Sequence, residues 1–414
     1  MSLSNSLESK ENIQYVFSDR IAKNVSVGEW GKFLGKHTLK TEYKRSNFYL
    51  TGDIVSFINE KLIQKKITPD DLNKFLPKQL TFGRHKDVYL YRFSSEFNND
   101  KEAIKSIIRK KYGINSLEYN EIARTIYFNT ELEEEDIVYI KILKEKENKI
   151  LKLRLIITRK VRYTKNNKYT NKNEPKFEHS YFPIDIDFEE RELIVKSMNK
   201  EYINIKEYKG NNVSKSIVES IMSSLGLNMI ICKNSNQEAL YNISNKLLND
   251  VIKERSKSGL DELDKDINTL VSATQKKISA KLGIDIKEPG LSKVNIYNEI
   301  KSVIENIVLP LILIETNTIE GLISYIKFRD RTAVNAVLKS QRRKDTLLDS
   351  KSYLNLRKSL NESKYVEKLR VFWSHEDVSL YYDANDDYSI QLHFYRHLFE
   401  EDLNNAIKRF KEFR

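Results

Sequence analysis

Two carboxylates at spacing two, Asp185 and Asp187 in FPIDIDFEEREL, form the pattern with which nucleotidyl-transferring enzymes hold Mg2+ against a phosphate. On a strand their Cα atoms lie roughly 7 Å apart and both side chains leave the same face. Such a site also needs a phosphate-binding loop and a third acid. No glycine occurs between Gly113 and Gly210, so no glycine-rich loop stands nearby. The alternation of Ile184, Ile186 and Phe188 with Asp185, Asp187 and Glu189 equally describes a strand with one apolar and one solvated face. Catalysis through Asp185 and Asp187 with Mg2+ is therefore the alternative reading. A non-enzymatic protein without cofactor or metal is the favoured one.

The cations give the stronger pattern. In LKLRLIITRKVRY, Lys152, Arg154, Lys160 and Arg162 share one parity, so a strand presents four positive charges on one face. The next stretch, TKNNKYTNKN, reads as a loop that adds Lys165, Lys168 and Lys172, with Tyr163 and Tyr169 between them. From Asn148 to Asn173 there is no acid. Cations spaced in this way follow a phosphate backbone, and interleaved rings stack on bases. The helical segment KEAIKSIIRKKY places Lys101, Lys105 and Arg109 on one face as a second contact. With two helices before it, it can be grouped as a helix-turn-helix-like module whose basic helix enters a groove. Arg329, Arg331, Lys339, Arg342, Arg343 and Lys344 form a third basic cluster.

Other chemistry fits less well. GKFLGKHT departs from a phosphate-binding P-loop: three residues, not four, separate Gly31 from Gly35, His37 follows Lys36, and no apolar strand precedes. Glu362 and Lys364 have nuclease-like spacing but sit in a polar segment. His375, Glu376, Asp377, His393 and His397 would make a metal site only if the fold gathered them. Cys232, the single cysteine, excludes an internal disulfide and reads as buried in MIIC. EWGKFLGKHTL followed by DIVSFINEKLIQKKI, with YTKNNKY after a strand, resembles the helical domain of the centromere protein N family. The C-terminal third departs from that pattern, and no residue role is carried over.

The elements that must position these residues follow from periodicity. Ile54, Phe57, Ile58 and Leu62 form a helical stripe that Thr51 or Asp53 can cap, and Thr68–Pro69 opens another helix. DVYLYRF is a strand, and Gly113 ends the basic helix. ARTIYFNT, DIVYIKIL, the basic strand, SYFPIDIDFE and ELIVKS predict an antiparallel meander, within which the acids of 185–187 can pair with the basic row. VSKSIVESIMSSLG and SNQEALYNISNKLLNDVI are helices, the second opened by a Ser235/Glu238 capping box. Leu260, Leu263, Ile267, Leu270, Thr274 and Ile278 continue a helical hairpin, followed by a helix over 293–309. LILI, GLISYIKF, EKLRVFW, VSLYY and SIQLHF predict strands, and DLNNAIKRFKEF a closing helix.

The expected fold class is multi-domain α+β: a leader over 1–20, a mainly helical domain over 21–115, an antiparallel β-rich domain over 116–232, a helical region over 233–309 and an α+β domain over 310–414. With 414 residues, 40% hydrophobic and 31% charged, the chain is long enough for several cores and is not disordered in composition. Its 71 Lys+Arg against 59 Asp+Glu give +12, a field that favours polyanions. No apolar run reaches a membrane span, and no signal-like core opens the chain, so a cytoplasmic protein without a membrane partner is expected. The leading expectation is electrostatic nucleic-acid binding, DNA before RNA, with a mobile-element or antiviral-defence setting suggested by composition. The alternatives are a metal-dependent nuclease or nucleotidyltransferase, and a scaffold subunit that binds a partner protein or a second copy through helices 235–282.

Overall fold

The computed structural model describes residues 19–22, 24–43, 51–83, 86–94, 97–122, 135–167, 172–200, 202–256, 263–283, 296–297, 300, 303, 319–329, 334–347 and 350–414. The helices are α1 (Asp19–Ala22), α2 (Val27–Lys36), α3 (Thr51–Ile63), α4 (Pro69–Thr81), α5 (Lys101–Tyr112), α6 (Gly210–Leu225), α7 (Lys233–Ser256), α8 (Leu263–Leu282), α9 (Lys351–Ser363) and α10 (Glu400–Glu412). The strands are β1 (Lys86–Arg92), β2 (Tyr119–Asn120), β3 (Glu135–Lys146), β4 (Lys149–Asn167), β5 (Lys172–Asp187) and β6 (Glu192–Met198). They continue with β7 (Gly321–Arg329), β8 (Asn335–Lys339), β9 (Val366–Trp373), β10 (Val378–Asp383) and β11 (Ser389–Phe394). The fold is multi-domain α+β, in two compact units of 1–232 with 388–401, and 233–387 with 402–414. The expected helical and β-rich domains thus lie within one unit, and residues 388–401 belong to that unit. The expected strand over 123–130, LILI, and most of the 293–309 helix lie outside the described residues. So do 1–18 of the leader and the side chains of Thr51 and Asp53, while Asp19 and Arg20 already belong to α1.

The first unit is an antiparallel sheet in the order β2-β3-β4-β5-β6-β1-β11. Strand parity divides its side chains between two cores. Leu153, Leu155 and Ile157 of β4 join Ile184 and Ile186 of β5 in a core shared with Ile104 and Ile108 of α5 and Ile217 and Ile221 of α6. Ile156 and Tyr181, of the opposite parity, pack with Trp30 and Phe33 of α2, Ile58 of α3 and Leu72 and Leu76 of α4. Both faces are therefore covered along this stretch, which is why LRLIIT carries three consecutive apolar residues instead of strict alternation.

Local signals place the helices on that second face. Thr68 caps α4 in a reciprocal capping box with Asp71, and Pro69 occupies the first helical position. Ser26 caps α2 by accepting the Glu29 N–H. On the first face, Gly113 ends α5 with φ +71°, a left-handed conformation that costs glycine least. α4 and α5 are separated by β1 and bury their apolar stripes in different cores. The basic helix is therefore not the third member of a helix-turn-helix with α3 and α4.

The second unit has a sheet in the order β10-β9-β7-β8, with α7 packed on β7 and β9. α7 starts at Lys233, not at the expected Ser235 cap, because the Lys233 N–H is held by the Asp387 carbonyl and places Ser235 inside the first turn. In α8 the inward stripe is Ile267, Val271 and Ile278, while Leu270 is exposed, so the seam is rotated from the expected one. β8 was not foreseen, and its burial is too shallow to give a strand-like pattern of apolar residues.

Gly321 opens β7 at a close approach. A Cβ there would lie 3.0 Å from Val371 Cγ1, 3.1 Å from Trp373 Cε3 and 3.2 Å from Leu247 Cδ2. Gly321→Val should destabilise the protein by about 1–3 kcal/mol through overpacking, seen as a lower urea midpoint at unchanged denaturant slope.

Candidate nucleic-acid interface

β4 and β5 pair in one uninterrupted register from Lys152↔Asp187 to Asn167↔Lys172. That register decides the fate of the basic row. Arg154 stands opposite Asp185 and Lys152 opposite Asp187, so acids and cations share one face. Arg154 Nε donates to Asp185 Oδ1 at 2.6 Å and Nη2 to Oδ2 at 3.1 Å. Lys152 Nζ lies 2.7 Å from Asp187 Oδ2. From β6, the fully buried Lys196 donates to Asp185 Oδ2.

The acids were expected on a solvated strand face, and here the structure differs. Asp185 is covered: the Phe82 ring, just beyond α4, lies 5.6 Å from both the Arg154 guanidinium and the Lys196 ammonium. Glu400 approaches Arg154 Nη2 at 3.6 Å. The cause is the helical layer on this face, which follows from the second core. Burial raises the Asp185 carboxyl, but Lys196 and then Arg154 outweigh it and hold the group at about 2. Asp187 Oδ1 accepts the backbone N–H of Glu189 at 3.1 Å and of Glu190 at 3.0 Å, which closes the turn into β6. A Mg2+ ion at this pair would have to displace Arg154, Lys196 and Lys152. Among the described residues no three His, Cys, Asp or Glu side chains gather as a metal site.

The outer half of the hairpin is different. Lys160 and Arg162 are exposed and form no ion pair among the described residues. Phe177, directly opposite Arg162, is 56% exposed. Lys160 Nζ sits 4.8 Å and Arg162 Cζ 5.9 Å from the centre of its ring. The neighbouring Glu178 is held by Lys200 at 2.7 Å and by the Tyr202 hydroxyl at 2.9 Å. Tyr163 packs edge-on against Tyr202, with ring centres 5.2 Å apart, so this ring is a packing residue rather than a free platform. Lys165 is exposed but has the opposite parity and leaves the other face.

The stretch expected as a loop is mostly strand, because β4 reaches Asn167 and β5 resumes at Lys172. Lys168, Tyr169 and the side chain of Lys172 lie outside the described residues. On α5, Lys101 pairs with Glu145 at 2.9 Å and Lys105 approaches Glu102 at 3.8 Å. Arg109 alone of that trio is exposed without an ion pair among the described residues. In the third cluster, Arg329 approaches Glu367 at 3.4 Å and Lys344 pairs with Asp377 at 2.5 Å, while Arg331 lies outside the described residues. The histidine-acid set resolves into separate pairs: His393 Nδ1 is 2.6 Å from Asp87 Oδ1, and Glu376 binds Arg409.

Sequence reasoning missed Lys196, Phe82 and Phe177. Folding FPIDIDFEERELIVKS on itself at 188–191 brings Lys196 beside the aspartates, a signal present in the hairpin spacing. Compared with models of protein families the chain matches none, and no curated protein resembles it in sequence.

Asp185→Asn leaves the buried Lys196 without a counter-charge and Arg154 with Glu400 alone, and should cost about 3–5 kcal/mol in urea unfolding. Because its folded value is depressed, the contribution of Asp185 is present above the ordinary carboxylate value of 3.8 and is lost as pH falls through about 2. The variant should flatten that acid limb. Lys86 behaves oppositely. It is buried, donates to the Leu80 carbonyl at 2.7 Å, and is lowered to about 7 by burial and then by Lys200 and Lys196. The unfolded chain keeps this proton up to 10.5, so stability rises with pH from about 7 toward 10, and Lys86→Met should abolish that rise.

Proposed function

We propose that the protein binds nucleic acid, single-stranded DNA first, through the outer half of the β4–β5 hairpin. The observation that carries the reading is the exposed Phe177 ring flanked by Lys160 and Arg162 on one face. A ring supplies a sequence-tolerant stacking platform, worth about 1–3 kcal/mol per base, and the flanking cations take the phosphates. The inner half of the row is neutralised by its own acids and serves as the rigid base from which the outer half projects. In sequence, Lys165, Lys168 and Lys172 fall between Arg162 and Phe177 and add positive charge to this part of the chain, Lys165 from the other face. Binding is electrostatic and stacking in character and needs no catalytic step.

A salt-graded panel of single- and double-stranded DNA and RNA tests the reading. Wild type should lose affinity steeply with salt. Lys160→Glu with Arg162→Glu should weaken binding at least tenfold and reduce the salt slope by roughly two. Phe177→Ala should weaken single-stranded more than double-stranded binding. Unchanged affinity in the double charge reversal would sink the proposal.

A further inference from the structure

A second candidate site lies in the first unit, away from the hairpin tip. α2 and α4 border a cleft of about 470 Å3, closed on another side by residues 397–400. That volume falls within the range of sites for drug-sized ligands. One wall is aromatic: Phe33 and Phe75 stack with ring centres 4.5 Å apart, and His37 tilts against Phe33 at 4.8 Å. The facing segment offers Phe399, 50% exposed, with His397 at 4.8 Å from it. This segment is pinned. Leu398 N–H donates to the Gly83 carbonyl at 2.6 Å and Gly83 N–H returns a bond to Leu398 at 3.3 Å.

The rim is charged in a particular way. α2 brings Lys32 and Lys36 and α4 brings Lys74 and Lys78, each pair at the i, i+4 spacing that sets side chains on one helix face. Three acids also line the cleft, and each is engaged. Glu29 holds Lys32 at 2.6 Å, Asp71 accepts the Thr68 N–H and O–H at 2.9 and 2.7 Å, and Glu400 approaches Arg154. Lys36 and Lys78 are exposed and make no ion pair among the described residues.

An aromatic-walled slot with unpaired ammonium groups at its mouth suits a flat base that carries phosphate. We infer that this cleft is a nucleoside-phosphate site: the base lies between the Phe75/His37 wall and Phe399, and the phosphates meet Lys36, Lys74 and Lys78. The cleft shares no lining residue with Lys160, Arg162 or Phe177 of the hairpin. The ligand is a free nucleotide or the phosphorylated end of a strand, which present the same chemistry.

Calorimetric titration of the full chain with ATP, AMP, adenosine and inorganic triphosphate tests it. Trp30, buried beneath Phe75 with ring centres 5.1 Å apart, gives a fluorescence reading beside the cleft. ATP should bind saturably and perturb that signal, with AMP weaker and adenosine and triphosphate each much weaker than ATP. Lys36→Glu with Lys78→Glu, both at exposed positions, should lower ATP affinity roughly a hundredfold, and Phe399→Ala about tenfold. Competition of ATP by a 5′-phosphorylated oligonucleotide supports a strand end as the source, and absence of competition supports the free nucleotide. The inference is overturned if ATP does not bind, or if triphosphate binds as tightly as ATP. It is equally overturned if the double charge reversal leaves ATP binding intact; the lysines then only balance the C-terminal ends of their helices.

Discussion

The ion pairing around Asp185 is the constraint on which the first unit depends. Its carboxylate takes hydrogen bonds from Arg154 on one neighbouring strand and Lys196 on the other, so one side chain ties β4, β5 and β6 together. A sheet covered by helices on both faces has little room for an uncompensated charge. Two cations and one half-buried acid, with Glu400 nearby, make the arrangement tolerable in a layer otherwise filled by Ile156, Tyr181 and the α2–α4 side chains. Such clusters add register more readily than net stability, and here the register fixes which residues of the hairpin end up at its open end.

Charge in this protein is therefore distributed by depth. The net +12 suggests a uniformly basic surface, but much of the basic row is compensated where the sheet is covered. Lys152, Arg154 and Lys101 each face an acid. Among the described residues, exposed cations without an ion pair include Lys160 and Arg162 on the hairpin, Arg109 on α5, and Lys36 and Lys78 beside the α2–α4 cleft. On the hairpin Lys160 and Arg162 meet the exposed Phe177 ring, and the cleft that Lys36 and Lys78 line also holds the half-exposed Phe399.

Much of the architecture was legible in the residues. Period-two alternation gave β3 to β6 and their antiparallel order, and Thr68–Pro69 and Gly113 marked helix ends correctly. Alternation alone misplaced the acids, because it reports which face is apolar and not whether the other face is wet. The correcting clue, Ile156 between Leu155 and Ile157, is a single residue and gains meaning only once α2–α4 are known to pack there. The cleft was hidden for a related reason. GKFLGKHT departs from a phosphate-binding loop in its spacing and is largely helical, yet the same helix lines one cleft with Lys78, from a segment more than 40 residues later. Spacing along the chain cannot reveal a juxtaposition made by packing.

The pairing of β1 with β11 carries a consequence for how the chain is made. Asp87, buried in β1, accepts from Gln391 and is paired with His393, residues 304 and 306 positions later in the sequence. At ordinary synthesis rates of ~5–20 residues per second, that edge of β1 emerges roughly 15–60 s before its partner exists. Over that interval the nascent first unit exposes an open strand with a carboxylate on it. A charged residue on an unpaired edge discourages pairing with other chains. In the folded protein the same side chain is taken up by Gln391 and His393 of the last strand.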